Sequence, residues 1–109
     1  MIVVVGRVRT DADKRESLVR IGQAVAAASR EEPGCIGYRI YEDTEDAKEF
    51  VFVEEWESDD ALKQHFGTAH IAEFMRAIPS AVVSAPDVKF HEIASTRDLA
   101  DVSASAREG

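Results

Sequence analysis

Three histidines, one tryptophan and one cysteine are the chemically unusual side chains of this chain, and Trp56, His65 and His70 fall close together. His65 follows Leu62 by three residues on an otherwise apolar helical face, which turns it inward towards Trp56. A neutral imidazole in that position can act as a base near neutral pH. The competing reading is a boundary histidine bonded to backbone or to Glu54. His70 stands one residue before an apolar stripe that begins at Ile71. It either orients the polar end of a ligand or is a helix-start surface residue. Trp56 ends a strand and, with Phe52, lies against the helical layer, as a pocket wall or as core. Glu54 shares the strand face of Phe52 and Trp56. If that face is inside, its carboxylate needs a partner, because an isolated buried charge is costly. Arg39 or Arg7 on a neighbouring strand is the first choice and His65 the second. Tyr38, Phe66, Phe74 and Met75 can supply flat apolar walls for an aromatic ring, or simply core. Cys35 has no basic neighbour in sequence to make it a nucleophile. No Cys/His spacing resembles a zinc site, so no metal is expected.

Those side chains need elements to position them. Ile2 to Val8 is β-branched and reads as a strand, and Thr10 or Asp11 can cap the helix that follows. Leu18, Ile21, Val25 and Ala28 recur at helical spacing, and Pro33-Gly34 sets the helix end near Glu31. Ile36, Tyr38 and Ile40 alternate with Gly37, Arg39 and Tyr41. After an acidic turn from Glu42 to Lys48, Phe50, Phe52, Glu54 and Trp56 alternate with Val51, Val53 and Glu55, so the two runs form a hairpin. Ser58 caps the next helix, with Asp59 and Asp60 favourable against its dipole. Gly67-Thr68 breaks it, and Ile71, Phe74, Met75 and Ile78 make a second apolar stripe before Pro79. Val88 to Ile93 forms a last strand, where His91 is read as structural or interfacial. Residues 1–94 form one domain and residues 95–109 a loose C-terminal tail.

The order strand, helix, strand, strand, helix, strand predicts an α+β fold, ferredoxin-like βαββαβ, with a four-stranded antiparallel sheet and both helices on one face. The other sheet face carries Val, Ile or aromatic residues, so a homodimer packed sheet to sheet is expected. A chain of 109 residues buries roughly 65% of its unfolded surface, which leaves little room for a large pocket unless a second subunit completes it. Acidic residues outnumber basic ones by 21 to 13, and the net charge of −8 repels phosphate backbones and anionic lipid. Neither nucleic acid nor membrane is an expected partner. The longest N-terminal apolar stretch, Ile2 to Val5, is too short to span a bilayer or serve as a signal peptide, and a cytoplasmic location is expected.

Glu32-Pro33-Gly34-Cys35, Tyr38, the Phe-x-Phe-x-Glu-x-Trp run from Phe50 to Trp56, Ser58, Ala61-Leu62, His65, Thr68 and His70 occur in this order and spacing. Together they resemble the antibiotic biosynthesis monooxygenase family of small dimeric α+β barrels, over Met1 to about Ile93. The resemblance implies the fold and the dimer. Its activities include cofactor-independent oxygenases of quinols or polyketide anthrones, haem-degrading enzymes and an isomerase of a phosphorylated sugar, and some members have no known activity. Haem-degrading members use a pocket asparagine, and this chain contains none, although His65 or His70 could ligate a haem iron. No phosphate cradle is evident. The likeness is greatest to the small bacterial quinol monooxygenases. It implies oxidation of a small hydrophobic aromatic diol, a quinol or anthrone-like compound, by O2 without a cofactor. His65 would be the base, with Trp56 and Glu54 beside it in the catalytic set. Tyr38, Phe52, Phe66, His70 and Phe74 would hold the substrate. The alternatives are a non-catalytic dimeric small-molecule-binding protein and an isomerase of a phosphorylated ketone.

Overall fold

The β-branched run at the N-terminus forms the strand that the sheet is built around. In the computed structural model, which describes residues 1–108, β1 (Ile2–Arg9) pairs antiparallel with both β3 (Glu49–Trp56) and β4 (Asp87–Glu92). β2 (Cys35–Glu42) completes the order β2-β3-β1-β4. Three helices lie between strands: α1 (Arg15–Arg30), α2 (Asp59–Phe66) and α3 (Ala69–Ala77), the last running into a 3-10 turn at Ile78–Ser80. The chain ends in a fourth helix, α4 (Leu99–Glu108). The architecture is α+β and ferredoxin-like.

Period-two alternation decides what each sheet face carries. Ile2, Val4 and Val8 of β1 and Phe50, Phe52, Glu54 and Trp56 of β3 are buried on the helical side. Val3, Val5, Val51 and Val53 point the other way and stay partly accessible. The register sets Glu54 between Val4 on one side and Tyr38 on the other. Trp56, Tyr38, Leu18 and His65 are among the largest fully buried side chains, so the core sits under α1 and α2.

Four local expectations are corrected. The first helix is capped neither by Thr10 nor by Asp11: it begins at Arg15, and Lys14 holds the N-cap position without a side-chain bond. Asp11 instead accepts the Lys14 N–H within the preceding turn, and the buried Thr10 hydroxyl donates to the Ala81 carbonyl. Ile36 does not share the face of Tyr38, because a bulge between Cys35 and Gly37 breaks the alternation and leaves it 53% exposed. Met75, placed on the α3 stripe, is exposed. Within the segment after Ser95, expected as a loose tail, Leu99–Glu108 are helical. Asp98 accepts the Asp101 N–H, and alanines at 100, 104 and 106 favour helix in the capped segment. Leu99, at its start, is 83% exposed.

Candidate active site

The turn after α1 begins the site. Glu31 is the C-cap, Pro33 forbids a further helical turn, and Gly34 takes φ +83°, a left-handed conformation suited to glycine. A Cβ at Gly34 would lie 2.6 Å from the Ala61 Cβ, so the turn is also pressed against α2. The Gly34 carbonyl accepts the Glu57 N–H at 2.8 Å, tying the turn to the end of β3. Glu32, held in this turn, is directed at α2 and α3.

Two caps then set the spacing of the histidines. Ser58 accepts the Ala61 N–H and starts α2, whose buried face is Ala61, Leu62 and His65. Thr68 ends one helix and starts the next. Its hydroxyl donates to the His65 carbonyl at 2.7 Å and accepts the Ile71 N–H. His65 and His70 therefore approach Glu32 from two different helices. The Nδ1 of His65 and the Nε2 of His70 each lie 2.7 Å from the same oxygen, Oε2 of Glu32. An ionised carboxylate only accepts hydrogen bonds, so neutral His65 carries its proton on Nδ1 and keeps the lone pair on Nε2. The His65 residue is 1% exposed, its ring 4.5 Å from that of Trp56 and 5.7 Å from that of Tyr38.

His65 also lines a cavity of about 410 Å³ between the sheet and the helices. Val4, Gly6, Val8 and Phe52 form its floor, and Ile71, Phe74 and Ile78 its helical wall. Phe66, Met75, Val88 and Phe90 line it and are exposed, which puts them at the mouth. Tyr38, Glu54 and His65 supply the polar atoms in this otherwise apolar lining. A few convergent polar groups in an apolar cavity of this size suit a small aromatic ligand.

Glu54 is buried, at 9% exposure. Its Oε1 accepts the Trp56 Nε1–H at 3.0 Å, and the Tyr38 hydroxyl lies against the same carboxyl. Burial outweighs these bonds and pushes the Glu54 pKa up to about 7. Burial, with Glu54 beside it, drives the Tyr38 hydroxyl pKa far above its ordinary value. The expected ion pair of Glu54 with Arg7 or Arg39 is not formed. Register sets both arginines level with Val51 and Val53, on the opposite sheet face. Nor does Glu54 orient His65; that position belongs to Glu32.

Of the residues singled out in the sequence, Tyr38, Phe52, Glu54, His65, Phe66, Phe74 and Met75 meet at the cavity. Trp56 does not line it. The ring is fully buried and touches the cavity's lining residues from behind, packing on His65 and donating to Glu54. His70 is also outside the cavity, on a groove between α1 and α3. Glu32 was legible only as part of a turn motif, since a contact across 33 positions leaves no periodic trace. Its oxygen and the two histidine nitrogens lie within 4.8 Å of one another, a possible metal-ligand set that sequence spacing does not reveal.

Comparison with known proteins places the chain. It is 37% identical over 98 residues to the uncharacterized protein sll1783 of Synechocystis, covering 90% of this chain and 67% of that one. It is 33% identical over 86 residues to YcnE of Bacillus subtilis, which carries a provisional monooxygenase name; 79% of this chain and 90% of YcnE are covered. The fold superposes with a TM-score of 0.85 on a Deinococcus radiodurans protein provisionally described as an antibiotic biosynthesis monooxygenase, at 21% identity over 91% of this chain and 98% of that one. The family model described as antibiotic biosynthesis monooxygenase matches residues 1–77, from β1 through α3, a span that includes Glu32, Glu54, His65 and His70. The chain therefore belongs to the antibiotic biosynthesis monooxygenase family.

Proposed function

We propose that the protein oxidises a small aromatic diol, such as a quinol or an anthrone-like compound, with O2 and without a cofactor. The observation that carries this reading is the arrangement of His65. Its Nδ1 is held by Glu32, and its ring lines an apolar cavity large enough for a bicyclic ring. A diol bound there gives one hydroxyl proton to His65 Nε2. Burial in apolar surroundings raises the energy of the resulting anion and favours transfer of one electron to O2. The radical pair recombines at a ring carbon, and the peroxide anion takes the proton back from His65 to give a hydroperoxide. Loss of water then leaves one oxygen atom in the product, and all the electrons come from the substrate. Glu54, near half-protonated at neutral pH, can donate to or accept from the second substrate oxygen. Phe52, Phe66 and Phe74 hold the ring in place. Trp56 supports His65 and Glu54 from behind. We also propose that the chain works as a homodimer, with the face of Val3, Val5, Val51 and Val53 as the contact, since α1, α2 and α3 leave it uncovered.

Oxygen uptake with a panel of reduced naphthoquinols, measured against buffer, tests the assignment. Uptake should saturate with substrate. It should fall roughly 100-fold or more in His65→Ala, as expected on removing a general base. It should fall less in Glu32→Gln, which keeps His65 but loosens its tautomer. Uptake no faster than buffer across the panel would overturn the oxygenase reading in favour of a binding protein.

A further inference from the structure

Glu32, His65 and His70 form a second constellation, of which only His65 also lines the cavity. We propose that these three residues bind a divalent first-row transition-metal ion, and that the ion acts as a switch on the proposed base. The donor set is two imidazole nitrogens and one carboxylate oxygen, from a turn and two different helices. It is the composition that zinc, cobalt or iron(II) accepts as three protein ligands, with further positions left to water.

The site is built rather than accidental. The Glu32 side chain is largely buried, and its only ion-pair partners among the described residues are the two histidines. Among the described residues no lysine or arginine forms an ion pair with it. Thr68 and Gly34 fix the two helices and the turn, so the donors are preorganised. Donor atoms now 2.7 Å apart share protons. Around a metal ion, neighbouring donors stand roughly 3.0–3.4 Å apart; the three donor atoms already lie within 4.8 Å of one another, so small side-chain shifts of Glu32 and the histidines bring them to that spacing. His70 borders the groove between α1 and α3, which gives the ion a path from solvent.

The consequence for His65 follows from proton bookkeeping at one ring. Without the ion, Nδ1 carries the proton for Glu32, and Nε2 keeps its lone pair on a ring that lines the cavity. An ion on Nδ1 takes that nitrogen's lone pair, and the proton of the neutral ring moves to Nε2. The ring then presents a donor to the cavity and cannot accept the hydroxyl proton of a diol. Metal binding would therefore switch the base off and chelation would restore it. This last effect rests on the oxygenase reading, whereas binding and the change of tautomer do not.

The test uses the full chain without added tag histidines, with cobalt(II) as the probe and zinc(II) as competitor. One equivalent of cobalt should produce visible d–d bands that zinc abolishes. Glu32→Gln and His70→Ala should each weaken binding by roughly tenfold or more. Long-range 1H–15N spectra should move the His65 proton from Nδ1 to Nε2 as zinc is added. If the protein oxidises quinols, zinc should inhibit it, and His70→Ala should lose that inhibition whatever its own rate. Absence of stoichiometric binding, or binding unaltered in both variants, would overturn the site. Binding with no change of tautomer would overturn the switch.

Discussion

At the scale of single residues, Glu54 shows how burial can outweigh hydrogen bonding. Its carboxyl has a donor in Trp56, yet its pKa is about 7, because loss of water costs the charged form more than the bonds return. The folded protein therefore binds a proton that the unfolded chain releases near 4.5. Its contribution to stability is full below about pH 4.5, is lost as pH rises towards 7, and is constant above that. The loss is of the order of 3 kcal/mol. Denaturant unfolding at pH 5 and pH 8 should show a drop in wild type that is largely missing in Glu54→Gln. Equal slopes in the two proteins would show that Glu54 titrates normally. The inward placement of Glu54 and of His65 was legible, since each sits in an unambiguous period of two or of helix. Their partners were not. Glu32 meets His65 through tertiary packing, and Trp56 lies behind the cavity lining rather than in it.

Helices α2 and α3 owe their placement to a few bonds made close by in sequence, which is why Ser58 and Gly67-Thr68 could be read as boundaries in advance. Thr68 does more than a cap, because its hydroxyl also holds the His65 carbonyl. Thr68→Ala should cost about 1 kcal/mol in unfolding free energy, the usual value of a lost N-cap. It should also lower the proposed quinol oxidation, whereas Ser58→Ala should cost similar stability with a smaller effect on rate. Equal rate losses in the two would remove the special role given to Thr68. What escaped the sequence at this scale were features without a local donor or breaker: the unaided N-cap at Lys14, the Cys35–Gly37 bulge and the helix after Asp98. In that last segment small residues resembled a tail, although alanine is the strongest helix former.

For the molecule as a whole, strand and helix order was enough to choose the ferredoxin-like topology, because a sheet with two crossing helices has few compact solutions. The uncovered sheet face is where the chain would meet a second copy, and Val5 opposite Val53 lies within it. Val53→Glu should convert the proposed dimer to monomer in sedimentation equilibrium, and a wild type that sediments at 12.0 kDa would refute the dimer outright. The choice of method matters because the chain, C-terminal helix included, is elongated. It measures 50 × 35 × 20 Å, and its radius of gyration is 16.0 Å, against about 13 Å for a compact chain of this length. Such a shape drags more solvent than a sphere of equal mass. A lone chain would leave a size-exclusion column early, at the elution volume of a heavier globule, and so imitate the very association being sought.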